Sequence, residues 1–489
     1  MVPFLLIFIP LLTGLAGFFI RQSSTAKSWS LFSSILTLIV SITGLILPAG
    51  NARLIMDLPW IPSLNTRFAV SLDGIGQVLT FLTAISFPII FIATWKDEYK
   101  NAKNFFALML LSQAGLMGVF VAMDALLFYF FWELALIPVY FICSQWGGEK
   151  RIAATFKFFI YTFTGSLLML IGIIWIYYHT KDHSFSISSF YEMGQRIPSQ
   201  DQNWLFWLFF IAFAIKMPIF PFHTWQPDTY EQSPTAATMV LSGIMVKMGV
   251  LGVVRWMAPV IPVGTWAWGD TASALCITGM IYASLIAIRQ DDLKRLIAYS
   301  SIAHMGLMCL AIFATTSIGL QGVIFQTFSH GINIIGLWIV ADIIERQFHT
   351  RRISELGGLA IKAPGLAILL MVIALANVAL PLTNAFIGEF MMFNGVYNST
   401  ATSYSAVFTA TAGISIILSA VYMLNMIQKV FFGNTNALTT AAKDILWNEK
   451  MVLIIIVLFI VALGLYPRPF FELTQETVDA ILSKMNYKQ

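Results

Sequence analysis

Apolar runs of roughly 20 residues follow one another along almost the whole chain, each long enough to cross a hydrocarbon core of about 30 Å. Lipid offers no hydrogen bonds to a polypeptide backbone, so such runs must close their own as helices. The runs predict an all-α polytopic membrane protein of about 14 transmembrane helices, over 2–20, 31–49, 72–93, 104–122, 124–142, 153–178, 203–225, 235–257, 270–288, 295–315, 318–342, 364–393, 403–428 and 449–466. Composition agrees, because only 11% of residues are charged where soluble domains carry about a quarter. The first run lacks a basic leader region and a small-residue cleavage site, so it is expected to remain as the first helix.

Lys and Arg decide the orientation. With the N-terminus outside, the cytoplasmic connectors and their flanks hold seventeen of the 28 basic residues. The opposite connectors and the tail hold seven, Lys484 and Lys488 included, or eight with Arg255. Both termini are therefore expected on the non-cytoplasmic side of the membrane. No connector is long enough for a large soluble domain, and no GxGxxG or GxxxxGK[ST] occurs, so neither a self-contained dehydrogenase nor an ATPase is indicated. The net charge of +4 is spread without blocks, which points to no nucleic-acid partner and leaves lipids as the general surroundings. Cys143, Cys276 and Cys309 are far apart and read as small packing residues, not as cluster or zinc ligands.

Against this background four charges are out of place. Glu133, Lys216, Lys247 and Glu389 lie well inside apolar runs, where each costs about 2.5–3.5 kcal/mol on an insertion scale. A static pair of Glu133 with Lys216, or snorkelling lysines, would be the plain explanation. Central placement leaves little room to snorkel, so the four are candidates for a proton path. Lys157 stands near a cytoplasmic helix end, where snorkelling and function are both open. His304 and His330 fall at matching depth in consecutive spans, beside Ser300, Ser301, Gln326, Thr327, Ser329 and Asn333. Gln326, His330 and Asn333 share a helix face. A histidine receives a proton on one nitrogen and donates from the other, which suits a relay.

Pro218 and Pro221 interrupt the seventh run just after Lys216, and Pro381 interrupts the twelfth before Glu389. Broken helices are tolerated where they face protein or a cavity. Breaks five spans apart suggest two inverted five-helix repeats. The expected organisation is 1–103 for helices 1–3, 104–257 for helices 4–8, 258–429 for helices 9–13 and 430–489 for helix 14 and the tail. Moving one charge against about 150 mV needs about 3.5 kcal/mol, and nothing in this chain supplies it, so the drive must come from elsewhere.

At these same residues the chain resembles a known family. FFWELALIPVYF, KMPIFPFHTWQPDTYEQSPTAATMVLSGIMVKMG, IRQDDLKRLIAYSSIAHMG and SHGINIIGLWIVADIIERQFHTRRISELGG resemble the antiporter-like proton-translocating subunits of respiratory NADH:quinone oxidoreductase (complex I), over nearly all of 70–470. Glu389 and the ending YPRPFFEL make it most similar to the M (chain 4) branch. The resemblance implies roles in proton translocation for Glu133, Lys216, Lys247, His304, His330 and Glu389, with Glu133 paired to Lys216. It also implies antiporter-like neighbours on both sides and no cofactor in this chain, since NADH, FMN, iron–sulfur clusters and quinone are handled by partner subunits. One departure is Leu382, in LPLT, where the family usually has glycine. A subunit of a multi-component cation/proton antiporter shares most of these residues and is the alternative; a purely structural membrane scaffold is a third.

Overall fold

The computed structural model describes residues 1–48 and 50–485, which leaves the basic Lys488 outside the described residues. Helices α1 (Val2–Gly17) and α2 (Ser23–Ile46) lead into a short hairpin, β1 (Ile55–Ile61) and β2 (Thr66–Ser71). Then follow α3 (Gly74–Ala93), α4 (Ala102–Val121), α5 (Ala125–Trp146), α6 (Arg151–His179), the short α7 (Ile187–Gly194), α8 (Ser199–Lys216) and α9 (Trp225–Gln232). Next come α10 (Thr235–Val240) and α11 (Val246–Leu251), which a π turn at Leu241–Met245 joins and a second at Gly252–Met257 extends into one span. Helices α12 (Pro262–Arg289), α13 (Leu293–Phe313) and α14 (Ser317–Phe348) complete the middle of the chain. The last third holds the one-turn α15 (Leu359–Lys362), α16 (Pro364–Asn377), α17 (Asn384–Tyr397), α18 (Ser405–Phe431), α19 (Trp447–Leu465) and α20 (Arg468–Met485).

Among the described residues eleven helical spans are long and apolar enough to cross a membrane, so the chain is a polytopic, predominantly helical membrane protein. Several expected boundaries need correction. The second helix starts at Ser23 and ends at Ile46, not 31–49, and α12 begins at Pro262, eight residues before the expected 270. The two runs expected to be interrupted by proline are divided, since α8 stops at Lys216 within 203–225 and 364–393 holds α16 and α17. Several elements in the expected connectors and tail were not anticipated, the short α7, α9 and α15 among them. The hairpin pairs Met56 with Val70 and Leu58 with Phe68, and the tail after residue 466 forms the 18-residue helix α20. Neither strand alternates between buried and exposed positions, so the hairpin left no period-2 signal to read.

The two most interior spans are Thr235–Met257 and α14, whose most apolar stretches are 100% buried, whereas α2, α18 and α19 are buried over only 28–33%. This ordering separates a core that must satisfy its polar groups internally from a rim that need only be apolar. On α6 the outward residues Ile152, Phe156, Ile160 and Phe163 recur every three or four positions, a stripe suited to lipid or to a neighbouring apolar surface.

Side-chain caps fix the interior helix ends. Asp124 Oδ1 accepts from the amides of Leu126 and Leu127 at the start of α5 and from Thr66 Oγ1, while its other oxygen accepts from the Arg67 amide, so one carboxylate ties the hairpin to α5. Asp73 caps α3 and accepts both Nη2 contacts of Arg255, a guanidinium only 2% exposed.

The broken span at Pro381 is held by backbone geometry. Leu382 has φ +74° and Ala379 φ +54°, both in the left-handed region, and Gly464 of α19 packs so close that a Cβ there would overlap the Leu382 carbonyl. An L-residue in that region costs about 1–2 kcal/mol, which explains why glycine suits position 382. The Leu382 side chain is 70% exposed and gives little packing in return. Leu382→Gly is therefore expected to raise the thermal unfolding midpoint of the detergent-purified protein, and Gly464→Leu to lower it; an unchanged midpoint in both would mean that the break carries no strain.

Candidate functional site

The interior spans meet at a lysine and a histidine. Lys247 Nζ donates to the Ser242 carbonyl at 2.9 Å and lies 2.8 Å from His330 Nδ1. Ser242 stands in the π turn before α11, where the shifted backbone bonding leaves a carbonyl free for a side chain. With the ammonium donating to Nδ1, the His330 proton resides on Nε2. That nitrogen is buried and has no hydrogen-bond partner in the structure.

His304 of α13 continues the row, its ring centroid 5.3 Å from that of His330. His304 Nδ1 lies 2.8 Å from the Ser300 carbonyl, and Nε2 lies 3.0 Å from the Asn377 carbonyl and 3.4 Å from Glu389 Oε1. Carbonyl oxygens only accept, so the arrangement is fully satisfied when both ring nitrogens carry protons, with Glu389 as the nearby counter-charge. Asn377 is the last residue of α16, and the break that follows leaves its carbonyl without an intrahelical donor. The interruption thus supplies the acceptor that orients His304.

Asn333 of α14 and Asn384 at the start of α17 exchange amide hydrogen bonds of 3.1 and 3.2 Å, fastening the second half of the broken span to the interior helix. Gln326 reaches Glu389 Oε1 only at 3.5 Å. Ser300 Oγ accepts from Asn377 Nδ2 at 3.1 Å and from the Tyr422 hydroxyl at 3.0 Å. Asn377, Asn384 and Tyr422 were missed in the sequence. The two asparagines flank the Pro381 break in an otherwise apolar run and were a readable signal; Tyr422 had none, since one tyrosine in a membrane helix is unremarked.

The other half is less continuous. Lys216 ends α8 and its ammonium lies 5.5 Å from the Trp132 ring centroid and 6.0 Å from that of Phe158, a cation–π setting. The expected ion pair with Glu133 is not made, because Lys216 Nζ has no hydrogen-bond or ion-pair partner and Glu133 Oε1 is likewise unpartnered. Glu133 is partly buried on α5 and Lys216 lies in the interior at 2% exposure, near enough for their charges to act on each other without direct contact. No direct contact joins Lys216 to Lys247 among the described residues. Both polar atoms of Gln226 and the hydroxyls of Tyr230, Ser301 and Ser329 are also buried and unpartnered, an arrangement that calls for water in a working protein.

At the end of α6 that carries it, Lys157 donates to Asp228 at 2.8 Å. Arg295 joins Asp228 and Glu231, and Arg351 joins Glu231 and Asp292, so one network links α9 to α13 and to the chain after α14. Against the desolvation of burial, Lys157 and Arg295 hold the Asp228 carboxyl below its usual range. No group of three or more His, Cys, Asp or Glu side chains suited to a metal ion occurs among the described residues, and all three cysteines are buried and free.

Comparisons with known proteins converge on one family. The family described as NADH:quinone oxidoreductase/Mrp antiporter, transmembrane region, matches residues 122–415. NADH-quinone oxidoreductase subunit M of Rickettsia typhi is 36% identical over 98% of both chains. F(420)H(2) dehydrogenase subunit M of Methanosarcina mazei is 34% identical over 98% of this chain and 97% of its own. Among solved structures, a chain of respiratory complex I from Thermus thermophilus with bound NADH superposes with a TM-score of 0.91 at 26% identity, covering both chains fully.

The reciprocal amide pair gives a direct energetic check. Asn333→Leu or Asn384→Leu alone strands a buried amide and is expected to cost about 1–3 kcal/mol, while the double variant costs less than the sum. Strict additivity in a stability measurement would mean that the two amides do not interact.

Proposed function

The chain belongs to the NADH:quinone oxidoreductase/Mrp antiporter membrane family, and we propose on that premise that it is the M-type proton-translocating subunit of an NADH:quinone oxidoreductase. In this reading protons pass along Glu133, Lys216, Lys247, His330, His304 and Glu389, with Lys157 and Asp228 at the cytoplasmic mouth. The observation that carries the reading is the interior row Lys247, His330, His304, Glu389, with 2.8 Å from Lys247 to His330, a 5.3 Å ring-centroid separation between the histidines with no hydrogen bond across it, and 3.4 Å from His304 to Glu389.

The geometry supports a stepwise mechanism. Lys247 gives a proton to His330 Nδ1, and the ring releases its Nε2 proton towards His304, so the imidazole passes charge without turning over. His304 holds that proton between two carbonyl oxygens, and Glu389 receives it and releases it outward. Lys216, poised on aromatic rings, loads Lys247 through water, and partly exposed Glu133 is the group on which a neighbouring subunit can act. Bringing a negative charge nearer Lys216 favours its charged form and withdrawing it favours release, which makes Glu133 a switch acting across space.

The reading includes fourteen crossings, with α8 and α9 as one broken span and α16 and α17 as another. It assigns inverted five-helix repeats to 104–257 and 258–429, flanked by 1–103 and 430–489, with both termini on the non-cytoplasmic side of a bacterial inner membrane. The breaks at Lys216 and Asn377, each in the fourth span of its unit, support the repeats. Other membrane subunits of the complex are the partners; NADH, FMN, iron–sulfur clusters and quinone belong to partner subunits. The drive is electron transfer there. An Mrp-type antiporter would use the same row, and co-purification with flavin and iron–sulfur subunits separates the two.

Lys216→Met tests the function. In membrane vesicles containing the assembled complex, NADH-driven proton uptake should fall at least about tenfold, the scale lost with a positioned proton-transfer group, while NADH oxidation by an artificial acceptor persists. Undiminished uptake would contradict a pumping role.

A further inference from the structure

Two cavities lie on one groove between α12, α13, α17 and α18. The inner one, about 20 Å³, touches Met280, Ala303, His304, Glu389, Ser415 and Ser419, and has room for about one water. The outer one, about 190 Å³, is lined by the hydroxyls of Thr265, Ser273, Thr315 and Ser399 and by the Asp270 carboxylate. The same four helices line both, and on each the lining residues are offset by seven positions: Met280 and Ser273, Ala303 and Leu310, Glu389 and Val396, Ser415 and Phe408. Seven residues are two helical turns, so the cavities stack about 10 Å apart along one axis. The outer cavity lies toward the start of α12 and the end of α13, the non-cytoplasmic face in the proposed orientation.

We propose that the outer cavity is the release vestibule of the Glu389 site and that Asp270 is its proton acceptor. This rests on the proton-translocating reading above. Of the residues lining the vestibule, Asp270 alone is ionisable, and it is half-buried on the face of α12 that continues through Ser273 to Met280. Between the two sets of lining positions along α12, α17 and α18 come Cys276, Met392 and Ala412, all buried and without charge. Such a constriction blocks protons while dry and conducts once a short water file wets it. The transfer balances simply: the Glu389 carboxylic acid loses its proton to the inner water, the file carries a proton across the constriction, Asp270 carboxylate receives it, and bulk water removes it. Glu389 is left ionised beside His304, ready for the next proton.

The test uses the assembled complex in native membrane vesicles. Asp270→Asn removes the acceptor with little change of shape, and Ser273→Phe fills the vestibule at a position remote from His304. Each should lower NADH-driven proton translocation at least about tenfold, with artificial-acceptor activity and complex content unchanged. In a second measurement, Ser273→Cys should react with a membrane-impermeant cationic thiol reagent from the non-cytoplasmic side only, and translocation should fall as it reacts. Wild-type translocation in both Asp270→Asn and Ser273→Phe, alongside an inactive Glu389→Gln, overturns the vestibule while leaving the translocating row intact. Wild-type translocation in Glu389→Gln itself overturns the reading on which the proposal rests.

Discussion

A lysine ammonium sealed among helices needs acceptors, and Lys247 finds them in a carbonyl freed by a π turn and in His330. Much of the interior follows from that requirement. The π turn requires the span carrying Lys247 to depart from regular α geometry. The contact with His330 requires α14 to lie against it, and both spans are enclosed on all sides. His330 then sets the depth of His304, and His304 in turn needs an acceptor that a continuous helix would not offer. The break after Asn377 provides one.

The two broken spans therefore do different work from a hinge in a soluble protein. At Lys216 the helix end places an ammonium among aromatic rings, and Trp225 Nε1 donates to the Ile215 carbonyl at 2.9 Å, satisfying one of the groups the break exposes. At Asn377 the exposed carbonyl itself becomes part of the row. The Leu382 backbone stands in the left-handed region where Gly464 of α19 approaches closely, and Pro218 at the first break also has a positive φ, so both breaks depart from ordinary helix geometry. Surface charge serves a separate purpose. The Asp228, Glu231, Arg295 and Arg351 network fastens α9 to α13 and to the chain after α14, leaving polarity among the interior helices to the row.

The membrane architecture was legible because backbone satisfaction in lipid allows few alternatives, and the interior charges were legible because each is costly there. His304 and His330 could be placed at one depth from helix rise alone. What could not be read was lateral distance. Glu133 and Lys216 look like partners on the chain and stand near enough to act on each other, yet they make no direct contact, and helix rotation decides such matters. The hairpin escaped notice because its strands do not alternate between buried and exposed positions, and α20 because its amphipathic pattern lies beside far stronger hydropathy. Tyr422 was unreadable for a third reason: its role depends on one hydroxyl meeting Ser300 across 122 positions.

The central claim is that one hydrated row joins Lys216 to Glu389. A map of the assembled complex at a resolution that shows ordered water tests it most directly. The account predicts water at Lys216 Nζ, Gln226, Ser301 and His330 Nε2, bridging Lys216 to Lys247 and continuing past the two histidines. A dry, side-chain-filled interval between Lys216 and Lys247, with those polar atoms paired directly to protein, would contradict it.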